Sequence, residues 1–393
     1  MAKVFIEETT LTAIGDAIRD KEGTTELIPV PDMATRISAI ESGGGGGGNE
    51  PTAKDLTFTG ALNNTFSGTT WNWVIDRYSD KMSFTDVSSS QNMFNNNPIT
   101  DLSMLTIPFA TNANPQSMFY GCNKLIKLPK VSGVIERYLY NLFDNCYSLP
   151  GEEINNFFKD LTVNAASTST SYNGVFSSCA SARNIDEALD WMHTHVNSYT
   201  GTYASFVNYN HLINSCFSLD SVVLPVFNSS NAPRTGNAFS GTFQNCTRVK
   251  DIKFKTDNGV PYVVQWKNQM LDFRSVYYVG WCSAGYRPNI LNYNSGITAD
   301  KEVNDDATYQ ALKNDPDWFA GKAEYCRYNH DSAVNTINTL PDTSAYLASS
   351  GGGTNTITFT GTNGSKTDGG AINTLTAEEI AVATAKGWTV TMS

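Results

Sequence analysis

The chain contains seven cysteines and four histidines, the residue types best suited to bind a metal ion or to act as nucleophiles. Metal sites need several such side chains together, and a nucleophilic thiol needs a neighbouring base. The cysteines instead follow a spacing of another kind, because most of them have an apolar residue three positions earlier. These pairs are Phe119/Cys122, Phe143/Cys146, Phe176/Cys179, Ile213/Cys216 and Phe243/Cys246. The cysteines therefore mark an internal repeat and not a metal site or a disulfide framework.

The histidines give no stronger indication of chemistry. His193 and His195 fall on a predicted helix that begins near Ile185, where residues two apart point in nearly opposite directions and do not share a metal. His330 precedes Asp331, which predicts a hydrogen-bonded surface pair. The sequence has no Gly-x-Ser-x-Gly elbow, no phosphate-binding loop and no Cys-x-x-Cys pair. We therefore expect no catalytic residue, metal or cofactor, and a glycan depolymerase is the alternative left open.

The repeat has a recognisable core around each anchor residue, the Phe or Ile that precedes the cysteine. An earlier copy, Met93-Phe94-Asn95-Asn96-Asn97, has asparagine in the place of cysteine. At this position a small thiol packs as an apolar group, and an amide can form a hydrogen bond with the exposed backbone. Successive anchors are 25, 24, 33, 37 and 30 residues apart, a spacing typical of a solenoid. The predicted core comprises Phe94, Phe119, Cys122, Leu125, Phe143, Cys146, Phe176, Cys179, Ile213, Cys216, Phe243 and Cys246.

This pattern resembles the leucine-rich repeats of bacterial surface proteins known as BspA-like. The resemblance covers about residues 90–260, and its clearest copy is residues 118–125, Met-Phe-Tyr-Gly-Cys-Asn-Lys-Leu. It implies a mainly β fold with short helices, an irregular leucine-rich-repeat-like solenoid with insertions over residues 54–340. It does not identify a ligand, because related repeats serve adhesion, recognition and scaffolding.

The apolar spacing in residues 1–42 predicts two short amphipathic helices. Such helices are not stable alone, so we expect them to pack against a partner. Their apolar faces carry Leu11, Ile14, Ile18, Met33, Ile37 and Ile40. The segment resembles an N-terminal module of tailed-phage structural proteins, which precedes a glycine-rich linker, here residues 43–53. The resemblance implies attachment to other virion proteins and a homo-oligomer, with a trimer favoured. A helical hairpin packed on the end of the solenoid is the alternative.

The C-terminal region, residues 341–393, predicts a β-α-β element. A strand at 356–360 precedes a glycine-rich loop, and Thr376 with Glu379 forms a capping box on a helix that Gly387 ends. A last strand follows at 388–391. The region resembles the closing segment of phage and gut-bacterial repeat proteins, which implies a cap on the exposed end of the solenoid. A self-association surface is the alternative.

Composition restricts the partners. A net charge of −11 with only 17% charged residues leaves no dense cationic surface for nucleic acid and no attraction to an anionic membrane. No apolar run is long enough to insert into a bilayer. The first eight residues lack the apolar centre of a signal peptide, so we expect synthesis in a host cytoplasm. An adhesive-type repeat without a secretion signal is expected on a virion, which reaches the outside through lysis.

Aromatic residues near the end of the repeats form the predicted ligand-binding cluster: Tyr277, Tyr278, Trp281, Tyr286 and Tyr293. With Asn, Ser and Thr around them, such rings suit sugars, although core packing is the alternative use. The sequence thus predicts a non-enzymatic virion protein, a tail fibre or tail-tip adhesin that binds a bacterial surface glycan or protein. The alternatives are a capsid head fibre or decoration protein and a bacterial BspA-like surface adhesin.

Overall fold

A computed structural model describes residues 56–136, 138–164, 171–197, 209–216, 219–226, 234–235, 251–273, 328–359 and 375–392, with 239, 241–243, 246 and 249. The chain divides into two units between Leu56 and Thr57. The predicted attachment helices lie outside the described residues, with Leu11, Ile14, Ile18, Met33, Ile37 and Ile40. The predicted aromatic cluster also lies outside them, with Tyr277, Tyr278, Trp281, Tyr286 and Tyr293.

The first part of the described chain forms a five-stranded parallel sheet whose strands follow one another in chain order. Apolar residues point to its buried face, as Phe84 and Val87 do, while Thr85 between them is exposed. Each connection between neighbouring strands carries one anchor turn. The strands are β1 (Thr57–Ala61), β2 (Ser83–Ser89), β3 (Thr106–Asn114), β4 (Lys130–Ile135) and β5 (Leu161–Val163).

Four smaller sheets follow within the described residues. Strand β6 (Ser221–Leu224) pairs in parallel with β8 (Asp251–Phe254), and a parallel C-terminal sheet has the order β12-β13-β14. The remaining pairs are β7 with β11, in parallel, and β9 with β10, in antiparallel orientation. The bounds are β7 (Arg234–Thr235), β9 (Thr256–Asp257), β10 (Val260–Pro261), β11 (Trp266–Lys267), β12 (Met270–Asp272), β13 (Asn355–Phe359) and β14 (Trp388–Met392).

Helices are short, and the structure is mixed, with more strand than helix. None of the described helices is long and apolar enough to cross a bilayer. A 3-10 turn, Ser79–Lys81, follows the first of the described helices. The described helices are α1 (Asn72–Tyr78), α2 (Gly151–Phe157), α3 (Asp186–Asn197), α4 (His330–Thr339), α5 (Ser344–Ser349) and α6 (Ala377–Ala385).

The anchor turns are joined to one another by a repeated backbone hydrogen bond. The N–H of five successive anchors donates to the carbonyl of the residue that precedes the next anchor, so each of these five turns lies against its successor in the chain. These bonds run from Phe66 to Met93 (2.8 Å), Phe94 to Met118 (2.8 Å), Phe119 to Leu142 (3.1 Å), Phe143 to Val175 (3.0 Å) and Phe176 to Leu212 (3.0 Å).

The turns have left-handed backbone conformations two residues before and two residues after each anchor. Glycine adopts this conformation freely, and polar residues such as Asn, Ser and His adopt it less readily, which accounts for the residue types at these positions. At Gly174, an added Cβ would lie 2.3 Å from the Asn141 amide oxygen of the preceding turn, so a side chain there would require the Asn141 side chain to move. The positions are Asn64, Asn92, Ser117, Asn141, Gly174, His211 and Gly241 before the anchors, and Gly68, Asn96, Gly121, Asn145, Ser178 and Ser215 after them.

The anchor side chains form the centre of the core. Neighbouring rings are stacked, with centroid distances of 5.4 Å for Phe66–Phe94, 5.6 Å for Phe94–Phe119 and Phe119–Phe143, and 6.3 Å for Phe143–Phe176. All twelve side chains predicted for the repeat core are buried. Phe66 extends the series by one repeat that the sequence analysis missed, because Thr69 occupies the place of the cysteine.

The five described cysteines share one role. Each Sγ donates a hydrogen bond to the carbonyl of the preceding anchor, from Cys122 to Phe94 (2.9 Å), Cys146 to Phe119 (3.0 Å), Cys179 to Phe143 (3.4 Å), Cys216 to Phe176 (3.0 Å) and Cys246 to Ile213 (2.9 Å). Asn97 Nδ2 donates to the Phe66 carbonyl at 2.8 Å, which confirms that asparagine replaces cysteine in this copy. Burial raises the pKa of Cys122 and of Cys246 to about 12. These thiols are therefore protonated and inaccessible at neutral pH.

The C-terminal β-α-β element agrees with its sequence prediction. Thr376 and Glu379 form the capping box of α6, and Gly387 follows the helix with a φ of 82°. Strands β13 and β14 pair in parallel across this helix, as a crossover connection requires. Their sheet also takes in β12, from residues 270–272, ahead of the predicted boundary at 341. The capping role of the element stays a prediction.

Candidate ligand-binding groove

A groove of about 720 Å³ opens beside helices α2 and α3. It is formed by the segments that follow the cysteines of three successive repeats, together with parts of the two helices. We call this feature the polar groove. Its lining residues are Ile126, Ser148, Pro150, Gly151, Glu152, Asn155, Asn156, Lys159, Ser181, Arg183, Asn184 and Glu187.

The repeat itself determines how the polar groove is built. Ser148 and Ser181 are each two residues after a repeat cysteine, while Ile126, Pro150 and Arg183 are each four residues after one. Equivalent positions of adjacent repeats therefore line it. The Ser181 N–H donates to the Tyr147 carbonyl at 3.0 Å, which joins two of these segments. The walls are α2 and α3, which lie in the anchor intervals of 33 and 37 residues.

Buried polar side chains form the floor of the groove. Ser148 and Asn155 are only 7% and 9% exposed. Asn155 Oδ1 accepts a hydrogen bond from the Ala188 N–H at 3.1 Å, and its Nδ2 donates to the Asn184 carbonyl at 3.4 Å. Because an amide nitrogen has two hydrogens, Asn155 keeps one N–H donor for a ligand. The floor is tight at Gly151, where an added Cβ would lie 2.0 Å from the Asn184 carbonyl oxygen.

The rims carry charges of both signs. Lys159 Nζ lies 2.6 Å from Asn156 Oδ1 and 3.7 Å from a Glu187 carboxylate oxygen. With Glu152 and Arg183, the lining holds two acidic and two basic side chains, so its formal charge balances. Ile126 is 45% exposed and gives the groove an apolar patch. Such a surface suits an uncharged ligand with hydroxyl and amide groups.

Of the two histidines on α3, His193 lines a second cavity of about 350 Å³. His193 Nδ1 accepts from the Val226 N–H at 3.2 Å, and burial lowers the pKa of this imidazole. His195 instead bonds the Trp191 carbonyl through Nδ1 at 2.7 Å. The predicted helix from near residue 185 is confirmed, and its two histidines have separate partners. Within the described ranges, no group of three or more metal-type ligands comes together.

His330 connects two helices. Its Nδ1 lies 3.2 Å from Asp331 Oδ1, which confirms the predicted pair. Its Nε2 lies 3.2 Å from Glu379 Oε2 in the first turn of α6, a contact that the sequence analysis missed. Burial, the largest single influence, lowers the pKa of His330, but the bonds to the two carboxylates together outweigh it and raise the pKa above its ordinary value. This contact fastens α6 to α4 and is structural.

Comparison with known proteins assigns neither a family nor a ligand to this chain. The chain matches no protein-family model, no curated protein and no solved structure. The polar groove was also not among the sites predicted from sequence. Its residues come from loops and helices that carry no motif, and only the repeat spacing indicates that Ser148 and Ser181 occupy equivalent positions.

Proposed function

We propose that this chain is a non-enzymatic virion protein of a tailed phage, a tail fibre or tail-tip adhesin that binds the surface of a bacterial host. In this proposal the stacked anchor turns form a leucine-rich-repeat-like solenoid. Residues 1–42 attach it to other virion proteins and to copies of itself, with a trimer favoured, and residues 341–393 close the end of the solenoid.

The polar groove is the observation that carries this proposal. It exposes amide, hydroxyl, charged and apolar groups on a framework whose turns are fixed by backbone bonds and stacked rings. A rigid framework with adaptable residues on its loops is how many recognition proteins present a binding site. Binding of a ligand requires only a surface of complementary shape and groups that form hydrogen bonds with it, and the groove offers both.

The environment of the reactive side chains also favours binding over catalysis. The five described thiols are buried and donate to backbone carbonyls, so they are unsuited to attack a substrate. His330 is held between two carboxylates by structural contacts. The capsid head fibre uses the same groove and the same attachment segment, and differs only in its place on the particle.

Adsorption to cells tests this proposal. The fluorescently labelled full-length protein is mixed with bacteria that the parent phage infects and with resistant isolates, and the cell-bound fluorescence is measured against protein concentration. We expect saturable adsorption to susceptible cells alone. Equal adsorption to both groups would contradict the proposal. Release of reducing sugars from host polysaccharide under the same conditions would favour the depolymerase instead.

A further inference from the structure

We propose that the polar groove binds an oligosaccharide of N-acetylated amino sugars, with an acetamido group of the ligand placed on the groove floor. This inference rests on the proposed function and names the ligand class of the same site. An acetamido group combines a carbonyl acceptor, an N–H donor and a methyl group, and the groove offers a partner for each.

The carbonyl acceptor is matched by Asn155. This side chain is held at both ends, by the Ala188 N–H at 3.1 Å and by the Asn184 carbonyl at 3.4 Å. The amide nitrogen has a second hydrogen, and the side chain that carries it lines the groove at 9% exposure. Asn155 Nδ2 already donates to the Asn184 carbonyl, so a ligand carbonyl that accepts its second hydrogen adds a bond in a site shielded from water, where such a bond is stronger than in water.

The methyl group is matched by Ile126 and Pro150, which occupy equivalent positions in two adjacent repeats. Ile126 is 45% exposed, so a ligand methyl that covers it removes apolar surface from water. The ligand N–H is matched by the exposed carboxylate of Glu152, which lies next to the groove floor.

The balanced rims favour an uncharged ligand over an acidic or basic one. Lys159 is already engaged by Asn156 and Glu187, so a uronic acid would compete with an existing carboxylate. Hydroxyl groups of a neutral sugar can instead bond the amides and serines without disrupting this pair. Because three repeats contribute equivalent positions over about 720 Å³, the groove has room for more than one sugar residue.

Calorimetric titration of the full-length protein with three hexasaccharides tests the assignment. The probes are the hexamers of N-acetylglucosamine, glucosamine and glucose, which differ only at the second carbon of each ring. We expect the N-acetylglucosamine hexamer to bind at least about tenfold more tightly than either of the others, as the loss of one buried hydrogen bond and one methyl contact implies.

Two variants locate the binding. Asn155→Asp keeps the acceptor for the Ala188 N–H and removes the donor, while Ile126→Asp changes an exposed side chain and leaves the floor intact. Each should weaken hexamer binding about tenfold. The control is Met104→Ala, because Met104 is 64% exposed and lies outside the groove. If thermal melting shows that Asn155→Asp is not folded, the binding of the hexamer to Ile126→Asp alone tests the location of the site.

Adsorption of the same variants to susceptible cells separates this inference from the proposed function. Loss of both hexamer binding and adsorption in Ile126→Asp supports both. Adsorption that is unchanged in Ile126→Asp, with no preference for the N-acetylated hexamer, overturns the groove assignment and leaves the adhesin proposal standing. A wild-type protein that binds neither hexamer nor cells overturns both.

Discussion

Replacing Phe119 by alanine is the most informative test of the repeat core. Phe119 is fully buried, and its ring lies 5.6 Å from Phe94 on one side, 5.6 Å from Phe143 on the other and 5.7 Å from Phe157 at its edge. Truncating a buried phenylalanine costs about 3–5 kcal/mol of unfolding free energy. Because aromatic pairs add about 0.5–1.5 kcal/mol each beyond burial, we expect a value in the upper half of that range.

Urea denaturation followed by circular dichroism measures this change. The midpoint should fall while the dependence on urea stays the same, since an altered slope would mean that the variant no longer unfolds as one unit. Met104→Ala is the matched control, because Met104 is 64% exposed and its truncation should change the unfolding free energy by less than about 0.5 kcal/mol. If Phe119→Ala is no more destabilising than Met104→Ala, the assignment of Phe119 as a core anchor is wrong.

Three further predictions follow from the contacts of single residues. With Cys282 and Cys326 replaced by serine, the five described thiols should resist iodoacetamide at pH 8 in the folded protein and react fully in urea, because they are buried and their pKa values are raised; rapid labelling of the folded protein would contradict their placement. Asn97→Ala should cost about 1–3 kcal/mol of unfolding free energy, because it leaves the Phe66 carbonyl without its donor and the Ile99 N–H without its acceptor, whereas Asn97→Cys should restore the first of these bonds and so part of that stability; equal losses in the two variants would refute the equivalence of the residues. The His330 contact raises the folded-state pKa, so its stabilisation should be fully present below pH 6.5 and lost as pH rises through the raised pKa. The Glu379→Gln variant keeps a capping side chain but removes the charge, so urea titrations between pH 5.5 and 7.5 should show a smaller pH dependence than in the wild type; an unchanged pH dependence would exclude this contact as its source.

The parts of the fold that the sequence predicted are those encoded by local residues. The three-residue spacing of Phe119 and Cys122 recurs in other repeats because each turn stacks one ring on its neighbour and donates one thiol hydrogen bond to it. The capping box at Thr376 was also predictable, since both partners lie within one helical turn. Phe66 was missed because its copy lacks both the cysteine and an asparagine in its place.

The candidate site was less accessible to sequence reasoning because it depends on packing between distant residues. Asn155 becomes a fixed donor only when Ala188, 33 residues later, bonds its side-chain oxygen. The contact of His330 with Glu379 likewise joins residues 49 positions apart. In the sequence, Asn155 and His330 have the same residue types and the same kinds of neighbours as ordinary surface residues, so these contacts could not be predicted.

Imaging of labelled particles tests the central claim most directly. A gold label is attached through a short tag after Ser393, and purified phage particles that carry the tagged chain are examined by electron microscopy. The proposed adhesin places the label at the distal end of the tail. Label distributed over the capsid would contradict a tail fibre and favour a head fibre or decoration protein. Particles without label, from lysates that contain the tagged chain, would contradict a virion protein altogether.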